Sequence, residues 1–321
     1  MLIRRIAALL TLLAVASSVH AQIDAYPSRT IRIIVPTQPG ASPDILARTL
    51  AHHLSARLAQ QILVINQPGA GSNIGHAAAA KAAPDGYTLL VTSDALSIND
   101  TLFPNLPFKS ADFVAVNQTI SSAQILVVNN DLPAKDMAGL IAYARANPGK
   151  LNYGAPQTGT LGHLTAELMR MTQKLDMVYV PFTGAPSATK DLMAGNIQLF
   201  WVTLPAVIGH VQQGAVRALA VSTAARASSL PNVPTMRELG FEGYDFATWQ
   251  GVFLPPGGSA AIAARLNAEI NAVLKVPEAR ATLAKIGFDP IGGTSEEFRR
   301  AVAETSQRWG KVVLEAKVST N

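Results

Sequence analysis

Short apolar runs alternate with longer segments of helical periodicity along most of the chain. The first run, Ile31 to Val35, precedes a stretch from Pro43 to Leu58 whose apolar residues recur at helical spacing. By the same criteria, further strands are predicted at 62–65, 87–92, 124–128, 151–154, 178–180, 197–202 and 216–221, and further helices at 73–83, 134–145, 161–171, 188–193, 260–274, 278–286 and 295–316. Strands that alternate with helices predict parallel sheets with crossover helices, and therefore an α/β fold.

The alternation starts twice, and each start has a glycine-rich loop between a strand and a helix. The first loop runs from Pro36 to Ser42, and the second runs from Gly154 to Thr160. Ser42 and Thr160 are predicted to cap the helices that follow. Ligands of open parallel sheets bind outside the carboxyl ends of strands, so each loop is a candidate anion site. Ordinary turns are the alternative interpretation, but the pairing of the loops favours a ligand held from two sides.

Length and composition indicate two folded lobes and exclude several classes of protein. A chain of 321 residues with 49% hydrophobic and 15% charged residues is long and apolar enough for two cores. No cysteine is present, which excludes disulfides, thiol catalysis and iron–sulfur ligation. Without Arg4 and Arg5, in a segment predicted below to be removed, the charge is 24 − 21 = +3. This weak excess argues against a nucleic-acid partner.

The N-terminus has the pattern of a secretory signal. Arg4 and Arg5 precede an uncharged apolar run from Ile6 to Ala16, and small residues follow up to Ala21. The run has 11 residues, whereas a membrane-spanning helix needs about 20. We therefore predict that residues 1–21 are cleaved and that the mature protein is periplasmic and soluble.

Several motifs that would indicate chemistry are incomplete. The segment Gln67 to Gly75 follows a strand, but its third glycine falls one position late for a dinucleotide fingerprint, and it lacks the lysine of a phosphate-binding loop. It is interpreted as a structural turn. His52 and His53 are neighbours and cannot share a metal-binding face of a helix. The sequence around Ser42 has an aspartate where a nucleophile elbow requires glycine.

Two titratable residues near the loops each have a functional and a structural interpretation. Asp44 lies in the first turn of the first helix, where it either stabilises the helix dipole or recognises an amino or hydroxyl group of a ligand. His163 lies in the first turn of the second-loop helix, where it either reaches the cleft or packs and caps locally. An exported hydrolase or isomerase that uses both residues is the enzymatic alternative.

The chain resembles the tripartite tricarboxylate transporter substrate-binding protein family, also called the Bug family. The resemblance covers essentially the whole mature chain. It rests on Val35-Pro36, Pro39-Gly40, Asp44 through Arg48, Asn66 to Gly75, Pro84 to Tyr87, Gly159 to Leu164, Val180-Pro181-Phe182, Gly184, Gly195, Val233-Pro234-Thr235, Gly240-Phe241, Trp249, Gly251 and Pro255. The family's fold implies a periplasmic-binding-protein-like clamp of two doubly wound lobes joined by a two-crossing hinge. Lobe 1 would hold residues 22–125 with 246–321, and lobe 2 residues 126–245.

The resemblance also implies a binding function without catalysis and without a cofactor. Members present a small carboxylate or related solute to membrane permease subunits, and a membrane sensor is the alternative partner. A monomer is expected. The ligand-binding residues expected here are Thr37, Gln38, Gly40, Ala41, Ser42, Asp44, Ser93, Gln157, Thr158, Gly159, Thr160, His163, Phe182 and Thr203.

This chain departs from the family pattern at several of these positions. The family usually has an aromatic residue at Thr37, a second glycine at Ala41 and a serine at Ala155. Acidic residues are common where Gln198 and Val202 stand. The loops also carry two amides, Gln38 and Gln157. These departures predict a ligand more polar than a plain dicarboxylate, or one placed differently.

Overall fold

The computed structural model describes residues 26–320. The described strands are β1 (Ile31–Val35), β2 (Ile62–Asn66), β3 (Thr88–Ser93), β4 (Val114–Val128), β5 (Leu151–Ala155), β6 (Met177–Pro181), β7 (Leu199–Thr203), β8 (Arg217–Val221), β9 (Ala247–Leu254) and β10 (Asp289–Pro290). The described helices are α1 (Ser42–Leu58), α2 (Asn73–Ala80), α3 (Ala95–Leu102), α4 (Met137–Ala146), α5 (Leu161–Thr172), α6 (Ala185–Met193), α7 (Leu204–Gln212), α8 (Ala260–Val273), α9 (Pro277–Lys285) and α10 (Ser295–Glu315).

The strands form one curled mixed sheet in the order β2-β1-β3-β9-β4-β7-β5-β6, and β8 and β10 also pair with β4. Pairs β1–β2, β1–β3, β5–β6 and β5–β7 are parallel, as the alternation of strands and helices predicts. The antiparallel strand β9 lies between β3 and β4. The α/β fold class is therefore confirmed.

Strand β4 passes from one half of the sheet to the other. It pairs with β9 as far as Ala123 and with β7 from Gln124 to Val128. We call the part containing β1, β2, β3, β9 and the first section of β4 lobe 1, and the part containing β5 to β8 and the last section of β4 lobe 2. The exact boundaries, 22–125 with 246–321 and 126–245, stay a prediction.

Each lobe has helices on both faces of its part of the sheet. In lobe 1, Leu46 and Leu50 of α1 and Leu266 of α8 pack on one face of the sheet with Ile33 of β1. Phe298 of α10 packs on the other face. Lobe 2 likewise has two buried clusters, one against α4 and α5 and the other against α6 and α7. Burial of these apolar faces explains why the periodic segments form helices where the spacing predicts them.

Four differences from the predicted elements stand out. Strand β4 begins at Val114 rather than at 124, and α3, α7 and β9 are not predicted at all. The early part of β4 contains polar residues that conceal a strand, and several of them are buried; Asn117, for example, donates a hydrogen bond to Asn271 at 3.2 Å. Buried polar residues of this kind interrupt the apolar periodicity from which strands are predicted.

No helix within residues 26–320 is long and apolar enough to cross a membrane. The predicted signal segment, residues 1–21, lies outside the described residues.

Candidate functional site

A cleft of ≈ 760 Å³ lies where strand ends from both lobes meet. Lobe 1 contributes the loops after β1, β2 and β3, and lobe 2 contributes the loop after β5 and Phe182 after β6. This is the edge at which open α/β sheets bind ligands. The cleft is lined by Pro36, Thr37, Gln38, Pro68, Gly69, Ala70, Gly71, Ser72, Ser93, Asp94, Ala95, Ile98, Asn99, Leu102, Phe103, Gln157, Thr158, Gly159, Thr160, Leu161, Phe182 and Thr320.

The structure brings eight of the fourteen predicted site residues to this cleft, and the other six lie outside its lining. The predicted residues that line the cleft are Thr37, Gln38, Ser93, Gln157, Thr158, Gly159, Thr160 and Phe182. Those outside the lining are Gly40, Ala41, Ser42, Asp44, His163 and Thr203. Ligand contact by any of them stays a prediction.

Asp44 holds the first loop in place. It is 2% exposed, and its Oδ2 accepts hydrogen bonds from the Gly40 N–H at 2.8 Å and from Arg48 Nε at 2.9 Å. Its Oδ1 accepts from Asn66 Nδ2 at 2.9 Å. Burial by itself raises the pKa of Asp44, but these hydrogen bonds outweigh it and lower the pKa. Both carboxylate oxygens of Asp44 accept hydrogen bonds from the protein itself, so the geometry supports the structural interpretation of this residue.

Ser42 does not cap α1, so that prediction is wrong. The chain turns into the helix one residue earlier, at Ala41, whose carbonyl already accepts hydrogen bonds from the N–H groups of Asp44 and Ile45. The Ser42 hydroxyl instead accepts a hydrogen bond from Gln250 of β9.

Thr160 is the N-cap residue of α5 by position, as predicted, but its side chain does not cap. The hydroxyl donates to the Gln157 carbonyl at 2.7 Å. The first N–H groups of a helix have no partner within the helix, and no side-chain cap bond is made at this N-terminus. Since Leu161 lines the cleft, the positive end of α5 lies at its wall.

His163 supports the second loop from behind. Its Nδ1 accepts a hydrogen bond from the Gly159 N–H at 3.1 Å, and its ring stacks on Tyr179 with centroids 4.0 Å apart. Burial lowers the pKa of His163 to about 4, against the opposing charge of Glu167. The ring is therefore neutral at pH 7 and acts as an acceptor. Local packing and capping describe its role, and neither it nor Asp44 gives the enzymatic alternative a group in the cleft wall.

The loop from Pro68 to Ser72 lines the cleft, which the interpretation of Gln67 to Gly75 as a plain turn did not anticipate. Asn99 of α3 ties this loop to the cleft by donating to the Gly71 carbonyl and to Asn73 Oδ1, both at 2.8 Å. The same rule that identified the other loops, a glycine-rich segment after a strand end, would have found this one.

Asp94 also lines the cleft, and it is not among the predicted site residues. It is 6% exposed and stands at the N-cap position of α3. Its Oδ2 accepts a hydrogen bond from the Thr248 hydroxyl at 2.6 Å. Burial raises the pKa of Asp94 to about 6. Among the described lining residues there is no Lys, Arg or His.

The remaining surface of the cleft combines an apolar wall with isolated polar groups. The wall consists of Ile98, Leu102, Phe103, Leu161 and Phe182. Thr37 also lines the cleft, and its hydroxyl is buried and has no hydrogen-bond partner among the described residues. A buried hydroxyl without a partner costs free energy, so a ligand group is a natural partner for it.

The sequence model of the tripartite tricarboxylate transporter family receptor matches residues 46–318. The chain belongs to this family of receptors. It is 36% identical to the protein BugT of Bordetella pertussis, over 91% of this chain and 90% of that protein. The resemblance to the Bug family is thereby confirmed, and the chain is a member of a solute-binding receptor family.

Solved structures agree with this assignment. The R. palustris protein Rpa4515, solved with adipate, is 32% identical, with a TM-score of 0.79 over 92% of this chain and 99% of that one. MatC of Rhodopseudomonas palustris, solved with bound malate, is 28% identical, with a TM-score of 0.76 over 90% of this chain and all of that one.

Proposed function

We propose that the protein is a periplasmic receptor that binds a small carboxylate in the cleft between the lobes and delivers it to a membrane permease. The observation that carries the proposal is the convergence of loops from both lobes on one cleft, with the unpartnered Thr37 hydroxyl on one side and the N-terminus of α5 on the other. The adipate and malate in the related structures support a carboxylate as the ligand.

The ligand carboxylate is expected at the second loop. A helix N-terminus stabilises an anion by about 1 kcal/mol, whereas micromolar binding requires about 8 kcal/mol. Hydrogen bonds from Thr37, Gln38 and Gln157 and the apolar wall would supply most of the difference. Closure of the lobes around the ligand would then create the surface that a permease recognises.

The test is calorimetric titration of purified residues 22–321 with adipate, malate and a panel of other carboxylates, alongside thermal melting. Binding of at least one acid, with a rise in melting temperature, is expected. Substitution Thr37→Val removes the unpartnered hydroxyl and should weaken binding about tenfold. Thr49→Val is the matched control, because Thr49 is also buried but bonds to the Ile45 carbonyl within α1, away from the cleft. No binding across the panel would contradict the proposal.

A further inference from the structure

Asp94 is the one ionisable side chain among the described residues that line the cleft. It belongs to lobe 1, between β3 and α3, and faces the same cavity as the second loop of lobe 2. Because no lining Lys, Arg or His accompanies it, its charge has no cationic partner in the cleft wall. The two sides of the cleft therefore differ in what they offer a ligand.

We infer that Asp94 makes this cleft select a carboxylate that also carries a hydrogen-bond donor, a hydroxyl or a protonated amine, on the side facing lobe 1. The inference rests on the proposed function, since it assigns the chemistry of the ligand held at that same site.

The lobe 2 side favours an anion. The N-terminus of α5 opens at Leu161, and Gln157 lines the same cleft. Backbone and amide N–H groups are donors, so they match the carboxylate oxygens of a ligand.

The lobe 1 side favours a donor. Asp94 is the N-cap residue of α3, so its carboxylate lies near the positive end of that helix although its side chain makes no cap hydrogen bond. Among the described residues, the Thr248 hydroxyl donates to Oδ2 at 2.6 Å, whereas the Ala95 N–H donates to Ser93 Oγ. A carboxylate has about four acceptor positions, so a ligand hydroxyl or ammonium can bind at Oδ1. A second ligand carboxylate would instead meet a like charge in a site without a compensating cation.

The charge of Asp94 is present at physiological pH. Burial raises its pKa to about 6, while the neighbouring Thr248, Ser93 and the backbone N–H groups of Trp249 and Ala95 act in the opposite direction. At pH 8 the group is ionised, which makes this the pH for the test.

The experiment compares matched acids on residues 22–321 by calorimetry at pH 8. Each series contains an unsubstituted diacid, its 2-hydroxy and its 2-amino derivative: succinate, malate and aspartate for four carbons, and the corresponding five- and six-carbon acids. In at least one series we expect the hydroxy or amino acid to bind tenfold or more tightly than the unsubstituted acid. The two derivatives distinguish a hydroxyl from an amine as the donor.

Asp94→Asn and Asp94→Ser test the role of the residue itself. Both remove the charge and keep a residue that is favourable at an N-cap, so α3 is preserved. In both variants, the dissociation constants of the substituted and unsubstituted acids should differ by less than about threefold. Asp100→Asn is the matched control, because Asp100 also lies on α3 but binds Ser110 outside the cleft lining; its ratio of these constants should equal that of the wild type.

The outcomes separate this inference from the proposed function. Equal binding of unsubstituted and substituted acids, or a wild-type ratio that survives in both Asp94 variants, overturns the inference and leaves the receptor function standing. Failure of every acid to bind the wild-type protein overturns both.

Discussion

Two glycines predicted at the site have different physical roles. Both have left-handed backbones, with φ +82° at Gly40 and φ +79° at Gly159. Around Gly40 there is open space for a side chain, whereas a Cβ at Gly159 would overlap Leu102 of α3. Since α3 belongs to lobe 1 and Gly159 to lobe 2, this is a place where the lobes touch. The close approach of Leu102 therefore adds to the backbone angle as a reason for glycine at 159.

Alanine substitution should separate these roles. Gly40→Ala is expected to lower the free energy of unfolding by about 1 kcal/mol through backbone strain alone. Gly159→Ala has the same strain and also displaces Leu102, so a loss of about 2–3 kcal/mol is expected. Urea unfolding of both variants measures the difference. Equal losses would contradict a tight contact between the lobes at this position.

At the scale of elements, helix α10 connects the lobes. Trp309, Val312 and Val313 of this helix form a buried cluster with Leu161 and Leu164 of α5, and Ile98 and Leu102 of α3 complete it. The Trp309 ring meets Phe246 edge-on, with centroids 4.7 Å apart. The cluster therefore joins the C-terminal helix of lobe 1 to the helix whose N-terminus opens on the cleft.

Removal of the indole should be costly. Trp309→Ala deletes a side chain that is 2% exposed, so the free energy of unfolding should fall by about 3–5 kcal/mol. Leu314→Ala on the same helix is the control, because Leu314 is 70% exposed and its loss should stay within about 0.5 kcal/mol. Chemical denaturation checks both. A small effect at Trp309 would mean that the cluster relaxes to fill the space, and would argue against a well-packed connection.

Elements with simple apolar patterns could be predicted closely from the sequence, and the others could not. Strand β1 matches its prediction at both ends, because four of its five residues are apolar and buried, as is typical of a parallel strand covered on both faces. The first part of β4 is largely buried, but polar residues interrupt its apolar ones, so the apolar pattern does not predict a strand there. At the site, the loops after β1 and β5 could be predicted because ligands of open parallel sheets bind outside the carboxyl ends of strands. This rule could not reveal that Asp44 faces Arg48 and Asn66, since Asn66 approaches it only in the folded chain.

At the scale of the whole molecule, the lobes share structure that should make them unfold together. β4 carries hydrogen bonds to β9 in lobe 1 and to β7 and β8 in lobe 2. The α10 cluster adds a second connection between the same lobes. Independent unfolding of either lobe would have to break both connections, and so a single cooperative transition is favoured.

The three tryptophans of the chain allow this cooperativity to be measured. Trp201 is buried in the core of lobe 2 and Trp249 in the core of lobe 1. A W249F/W309F variant reports on lobe 2 by fluorescence, and a W201F/W309F variant reports on lobe 1. Within each variant, the urea transition seen by fluorescence should coincide with that seen by far-UV circular dichroism, to within about 0.3 M. Using both probes on the same variant removes the effect of the substitutions on stability. If the fluorescence midpoint instead precedes the dichroism midpoint in one variant and follows it in the other, the lobes unfold separately, and the connections through β4 and α10 are weaker than their burial indicates.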